Sequence, residues 1–258
     1  MQNAPPTIFS PKRRKAARRR LLAKGLRDAF LLEDMVDDVI ERLAFLRHEP
    51  KRSLIIGDAT FRLNQHIDPS QASVMDADII HYFDHLEIDL ESPLEHGPYD
   101  FIACLGLLDT VNDLPGALIH LREALAPGGR VIAQFPGAGS LVNLRSAMLA
   151  ADGERPAARM HPMVDVRSAA QLLQRAGWSD PVVDGRTLKV SYRSLDKLVS
   201  DLRDQGLGSV LASPAPPLTR KGLERARSAF LEAAGPEGRV TESFEILTLT
   251  GRRSLRGS

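Results

Sequence analysis

Two adjoining stretches decide the fold: residues 99–105 read YDFIACL, and residues 114–135 read LPGALIHLREALAPGGRVIAQF. The first is almost wholly apolar after its aspartate, which is typical of a strand buried on both faces of a parallel sheet. In the second, leucines recur every three or four residues from Leu114 to Leu125, and an Ala-Pro-Gly-Gly turn then precedes an apolar run at 130–135. We therefore expect strand, helix, glycine turn and strand, the repeating unit of an α/β sheet.

The same two signals place the elements on either side. Apolar residues at helical spacing predict a helix from Leu32 to Leu46 that ends before Pro50, and the run from Ser53 to Ile56 before Gly57 is typical of a buried strand that meets a tight turn. The other expected elements are a strand within 72–80, helices at 168–176, 195–202 and 221–234, a strand or hairpin arm at 182–192, a loop at 206–219 and a final strand at 244–250. Such alternation predicts a mostly parallel, twisted sheet with helices on both faces and ligands at the carboxyl ends of the strands.

The composition is that of an ordinary folded protein: 43% of the 258 residues are hydrophobic and 26% are charged. The single cysteine, Cys104, excludes an internal disulfide and a multi-cysteine metal site, and its apolar strand predicts a buried thiol. No apolar run approaches the roughly 18 residues of a membrane span. We expect a cytoplasmic protein, with the mitochondrial matrix as the alternative.

The net charge of +1 conceals an asymmetry. Residues 1–27 hold nine Lys or Arg and no acid, which leaves 25 basic and 33 acidic residues in the other 231. The run from Lys12 to Arg20 is compatible with a solvated basic helix, an organellar targeting peptide or a polyanion-binding segment. Because no aromatic residues interleave with these charges, we expect no specific nucleic-acid binding.

The order of elements and motifs resembles class I S-adenosylmethionine-dependent methyltransferases. More narrowly, the chain is similar to the methyltransferase-like assembly factors of respiratory complex I and their bacterial relatives. The residues that carry this resemblance are VNDLPGAL at 111–118, LREAL at 121–125, PGG at 127–129, LRS at 144–146, DVR at 165–167, LLQRAG at 172–177, VVD at 182–184 and the strand from Phe244 to Gly251. The resemblance implies a Rossmann-like α/β fold and a methyltransferase-like function on an unknown, possibly protein, acceptor.

The resemblance also implies a cofactor, S-adenosylmethionine, and the residues that hold it. They are a glycine turn after the first strand, an acid after the second that binds the ribose, an acid near the adenine, and the end of the strand at 99–105. In this chain the matching positions are Gly57, Asp58, Ala59, Asp78, Asp89 and Leu105, and Asp76 is a rival to Asp78. No catalytic residue and no metal is implied.

The chain departs from the family at three places. Ala59 and Phe61 stand where glycines are usual, so a ring is expected where the cofactor or the next helix would approach. Only ten residues separate Asp78 from Asp89, too few for the crossover helix of about a dozen residues that the family uses. Asp109-Thr110 replaces an expected His-Trp at the mouth of the site. These departures keep open a non-catalytic relative that serves as a binding or assembly module.

We expect three segments: a basic N-terminal helical segment at 1–50, a methyltransferase-like α/β domain at 51–252 and a polar tail at 253–258. The partners expected are a protein acceptor or an assembly partner.

Overall fold

The computed structural model describes residues 7–26, 29–67, 79–82 and 88–255. Its strands are β1 (Ser53–Ile56), β2 (Ile79–Tyr82), β3 (Tyr99–Leu105), β4 (Leu125–Pro136), β5 (Ser179–Tyr192) and β6 (Val240–Arg252). They form one six-stranded sheet in the order β2-β1-β3-β4-β6-β5. The first four are parallel, and β6 runs antiparallel to both β4 and β5. The expected mostly parallel sheet is confirmed.

Helices cover both faces of this sheet. They are α1 (Pro11–Ala23), α2 (Phe30–Leu46), α3 (Arg62–Ile67), α4 (Leu114–Glu123), α5 (Val142–Asp152), α6 (Val166–Arg175), α7 (Leu195–Asp204) and α8 (Arg220–Leu231), with a short 3-10 turn at Leu108–Thr110. On β3, Phe101 and Leu105 enter the core beneath α2, α5, α7 and α8, whereas Ile102 and Cys104 enter the core beneath α4 and α6. Burial on both faces explains why this strand is apolar throughout.

The glycine turn at 126–129 differs from expectation. Helix α4 ends at Glu123, and the strand β4 already begins at Leu125, which pairs with Tyr99, while the next pair is Arg130 with Phe101. The turn is therefore a bulge within β4 and does not precede it. Gly129 has no room for a side chain, because a Cβ there would lie 2.7 Å from the carbonyl oxygen of Tyr99.

Two helices were not anticipated, α3 and α5. Helix α5 starts where the buried carboxylate of Glu242 accepts hydrogen bonds from the backbone N–H groups of Asn143, at 3.3 Å, and Leu144, at 2.9 Å. Free N–H groups at a helix start need such a partner. Here the partner lies about a hundred residues away in the sequence, so no local capping signal precedes the helix.

The expected loss of a crossover helix between Asp78 and Asp89 falls mostly outside the described residues. The described part of the region between β2 and β3, residues 88–98, contains no helix and no strand. The expected second strand overlaps β2 only at its end, and residues 72–78 of that prediction lie outside the described residues.

The basic N-terminal helix packs against the domain. The side chain of Asn112 accepts hydrogen bonds from the N–H groups of Ile8 and Phe9, both at 2.8 Å, and donates one to the carbonyl of Phe9 at 3.2 Å. Phe9 also forms a β-bridge with Leu211. The Asn of the VND motif therefore anchors the segment that leads into α1. Among the described residues, no helix has the length and apolar character needed to cross a bilayer.

Phe61 follows the first glycine turn with a φ of +59°, a left-handed conformation that glycine adopts readily and other residues do not. Its side chain does not enter the core, since the residue is 42% exposed. We expect Phe61→Gly to be more stable than Phe61→Ala by about 1 kcal/mol, because both remove the ring and only glycine relieves the backbone. Urea unfolding of the two variants measures the difference. An alanine variant at least as stable as the glycine variant would contradict the left-handed assignment.

Candidate functional site

Two neighbouring strands end in left-handed glycine turns at the same edge of the sheet. Gly57 follows β1 with a φ of +93°, and Gly106 follows β3 with a φ of +63°. A Cβ on Gly57 would overlap the carbonyl oxygen of Leu105. The first glycine of the predicted motif is thus required for the close approach of two backbones, whether or not a ligand is present.

Asp58 is used within its own turn. Its fully buried carboxylate accepts hydrogen bonds from the N–H groups of Thr60, at 2.9 Å, and Leu63, at 3.0 Å, as well as from the Thr60 hydroxyl. It thereby supplies an acceptor for the first turn of α3. Ala59 beside it is only 4% exposed. Neither side chain presents a free polar group to the edge of the sheet.

The other residues assigned to the cofactor lie in different surroundings. Asp89 is exposed, and its carboxylate accepts hydrogen bonds from the Glu91 N–H at 3.0 Å and the Ser92 hydroxyl at 2.9 Å. Leu105 is fully buried in β3. Asp78, like its rival Asp76, falls outside the described residues.

Two arginines of α1 reach the carboxyl ends of the strands. Arg18 donates a hydrogen bond to the carbonyl of Gly106, and Arg14 donates one to the carbonyl of Thr110 at 2.7 Å. Sequence reasoning treated the basic run as a single charged segment and missed these roles. The signal was the spacing of Arg14, Ala17, Arg18 and Leu21, which places one helix face toward the domain.

Asp109 faces these arginines from the 3-10 turn after β3. It lines a cavity at this edge together with Arg14, Arg18, Gly106 and Pro136. Burial raises the pKa of the Asp109 carboxyl to about 6, and the two arginines oppose that rise. Its Oδ1 atom is buried and has no hydrogen-bond partner among the residues that the structure describes. A carboxylate thus occupies the position where the sequence departs from the expected His-Trp.

Two further groups of chemical interest are inert. Burial lowers the pKa of His161 to about 4, and its Nε2 accepts a hydrogen bond from the Val210 N–H at 2.8 Å, so the ring is neutral. Burial raises the pKa of the Cys104 thiol to about 12, which confirms a buried thiol and excludes a ready nucleophile.

Within the described ranges, no cluster of three or more His, Cys, Asp or Glu could hold a metal.

The backbone at this edge fits a ligand such as S-adenosylmethionine, under one condition. A Cβ on Gly106 would meet only the Nη2 atom of Arg18, at 3.5 Å. The space beside this glycine is therefore filled by the end of a flexible side chain and not by backbone. A ligand that uses the Gly106 carbonyl must displace the guanidinium of Arg18.

The stability cost of crowding at Gly57 can be measured separately from the cost of its left-handed φ. Gly238 also has a positive φ, +68°, but a Cβ there would have nothing within 4 Å. We expect Gly238→Ala to lower the free energy of unfolding by about 1 kcal/mol through backbone strain alone. Gly57→Ala should cost about 3 kcal/mol or more, because its methyl group also overlaps Leu105. Chemical denaturation of both variants measures these costs, and equal costs would contradict the crowded geometry.

Asp109 should also leave a signature in the pH dependence of stability. A carboxyl whose pKa is higher in the folded than in the unfolded protein binds a proton more tightly when folded, so its contribution falls as pH rises from about 4 to 6. The variant Asp109→Asn does not lose stability in this way, because an amide does not titrate in this pH range. We expect the variant to gain about 2 kcal/mol relative to the unmodified chain between pH 4.5 and pH 7.5. Parallel stability profiles for the two proteins would show that this carboxyl has an ordinary pKa.

Comparison with known proteins agrees with this geometry. The family model described as "Methyltransferase domain" matches residues 29–180. The mouse mitochondrial "Arginine-hydroxylase NDUFAF5" is 24% identical over 239 residues, which cover 86% of this chain and 70% of the mouse protein. A "Malonyl-[acyl-carrier protein] O-methyltransferase" of Halorhodospira halophila is 33% identical over 144 residues, covering 54% of this chain. This chain spans about half of that relative, 47% of its length.

Among solved structures, the YcgJ protein of Bacillus subtilis matches with a TM-score of 0.51 at 10% identity, over 87% of this chain and 100% of that one. At such identity the likeness shows the fold alone. The family model, in contrast, covers more than half of the chain, from α2 through the glycine turns to the start of β5. The chain belongs to the methyltransferase domain family of class I, S-adenosylmethionine-dependent enzymes, and is a methyltransferase-like protein of Rossmann-like fold.

Proposed function

We propose that the chain binds S-adenosylmethionine at the carboxyl ends of β1 and β3 and transfers a methyl group to an acceptor in the adjoining cavity. The observation that carries this proposal is the pair of glycine turns at Gly57 and Gly106, which end neighbouring parallel strands beside a cavity. Ligands of open α/β sheets bind at this edge. Membership of the methyltransferase domain family supports the choice of ligand.

The chain contributes mainly binding and orientation. When bound, S-adenosylmethionine supplies a methyl group already activated on a sulfonium, so the protein needs few catalytic groups. The backbone at Gly57, Asp58, Ala59 and Leu105 forms the floor of the proposed site. We propose that Asp78 and Asp89 provide its acidic groups, and that α1, with Arg14, closes it against water once the guanidinium of Arg18 is displaced.

The acceptor is proposed to be a protein or a group carried on a protein. The printed name of the Halorhodospira halophila relative refers to a malonyl group on acyl-carrier protein, and that of the mouse relative refers to an arginine. Both names support, for this chain, an acceptor that another protein presents. We propose the cytoplasm as its location and keep the mitochondrial matrix as the alternative, because the mouse relative is named as mitochondrial.

A second candidate function is a binding or assembly module that has kept the fold without catalysis. Three observations favour it: the Asp58 carboxylate is used within its turn, Phe61 stands where a glycine is usual, and Arg18 is bonded to the Gly106 carbonyl. On this proposal, each of them weakens the cofactor site. The two functions make different predictions for cofactor binding.

We expect S-adenosylhomocysteine, the demethylated product, to bind with a dissociation constant well above micromolar. Calorimetric titration measures the affinity, and thermal unfolding checks it, because a ligand at 100 times its dissociation constant adds about 2.7 kcal/mol of stability. Arg18→Ala should bind about tenfold more tightly, since a charge-assisted hydrogen bond to Gly106 no longer has to be broken.

The matched control is Arg19→Ala, because Arg19 is an exposed neighbour on the same helix. Its affinity should equal that of the unmodified chain. Weaker binding by Arg18→Ala would mean that this arginine holds the ligand and does not compete with it. No binding by either variant at millimolar ligand would favour the module over the enzyme.

A further inference from the structure

A second, apolar lobe adjoins the cavity at the strand ends. The first lobe, next to Gly106 and Asp109, shares five lining residues with the second: Leu141, His161, Met163, Leu207 and Gly208. The second lobe has a volume of about 200 Å³ and lies between α5 and α7. The two lobes are therefore adjacent, and these five residues lie between them.

The second lobe is lined mainly by flexible and aliphatic side chains. They include Leu144, Met148, Met160, Met163, Val199 and Leu202. Methionine side chains adapt to ligands of irregular shape. An apolar cavity of about 150 Å³ in another protein accommodates benzene, so a lobe of this size accommodates a group of about six carbons.

The charges around both lobes are unequal. Four arginines line them, Arg14, Arg18, Arg159 and Arg203, against a single carboxylate, Asp109. Arg159 is neutralised by Asp152, with its Nε 2.8 Å from one carboxylate oxygen. Arg203 is exposed at the rim of the second lobe and has no ion-pair partner in the part of the chain that the structure describes. Arg14 pairs with Glu91 at 3.4 Å and Arg18 lies near Asp109, so the arginine of this set without an ion-pair partner among the described residues is the one at the rim of the apolar lobe.

We propose that the second lobe binds an amphiphilic acid, with an apolar body of about six carbons among the methionines and its carboxylate beside Arg203. This inference goes beyond the proposed function, because it concerns a ligand of the lobe and not the methyl acceptor. The acid is either free or attached to a carrier. A cationic amphiphile of equal length is disfavoured by the same arginine.

Methionine methyl groups report on this lobe directly. The chain has six methionines; Met148, Met160 and Met163 line the lobe, whereas Met35 lies on α2 and is buried in the core. With the full chain carrying ¹³C-methyl methionine, hexanoate should shift the signals of the three lobe methionines and leave that of Met35 unchanged. Hexylamine should bind more weakly than hexanoate by about threefold or more. Adipic acid monomethylamide, in which one acid group is blocked, imitates a carried acid, and its affinity relative to hexanoate distinguishes the two sources.

Two pairs of measurements test the shape and the charge of the lobe separately. Met148→Trp should fill the lobe and weaken hexanoate binding at least tenfold, whereas Leu149→Trp, at the exposed next position of α5, should not. Arg203→Gln should weaken hexanoate about threefold and leave hexan-1-ol unchanged. Unshifted lobe methionines, hexylamine bound as tightly as hexanoate, or undiminished binding by Met148→Trp would overturn the proposal. No cofactor takes part, so these results are independent of the S-adenosylhomocysteine titration.

Discussion

The rest of this structure depends on the close approach of two backbones, where the turn at Gly57 meets the carbonyl of Leu105. No other residue type leaves enough room there, and the positive φ adds a second reason for glycine. The contact holds the ends of β1 and β3 together at one edge of the sheet. Because parallel strands share the position of their carboxyl ends, both glycine turns and the 3-10 turn that carries Asp109 converge on that edge.

The N-terminal helix turns this open edge into an enclosed site. The Asn112 side chain accepts hydrogen bonds from Ile8 and Phe9 and so anchors the segment before α1, and Arg14 and Arg18 donate to backbone carbonyls that follow β3. Buried arginine and carboxylate groups are costly unless they are paired, and the proximity of Asp109 to both arginines reduces this cost. A segment that is strongly basic in sequence therefore contributes to the internal electrostatics of the site as well as to the surface charge.

The chain has the fold of its family, and its own side chains occupy the edge of the sheet where the cofactor is proposed to bind. The family model covers residues 29–180, which include the four parallel strands, whereas side chains of this chain fill several positions around the proposed cofactor. Asp58 stabilises its own turn, and Arg18 occupies a carbonyl that a ligand could use. Beyond them, a cavity with methionines on its walls and arginines at its rim extends between α5 and α7. Fold and site can differ in this way because packing constrains the core, while side chains at strand ends can vary freely.

The sequence by itself determined the parts of the protein that depend on local pattern. Apolar runs and helical spacing predicted β1, β3, α2, α4 and α6, and the ordered motifs predicted the family. Only the tertiary structure decided the features that depend on partners far apart in the chain. Helix α5 begins at a carboxylate about a hundred residues away, Arg18 of the N-terminal helix reaches Gly106, and Asp109 acquires its raised pKa from burial. Periodicity records which face of an element is buried; it does not record what that face meets, and the chemistry of the site depends on those contacts.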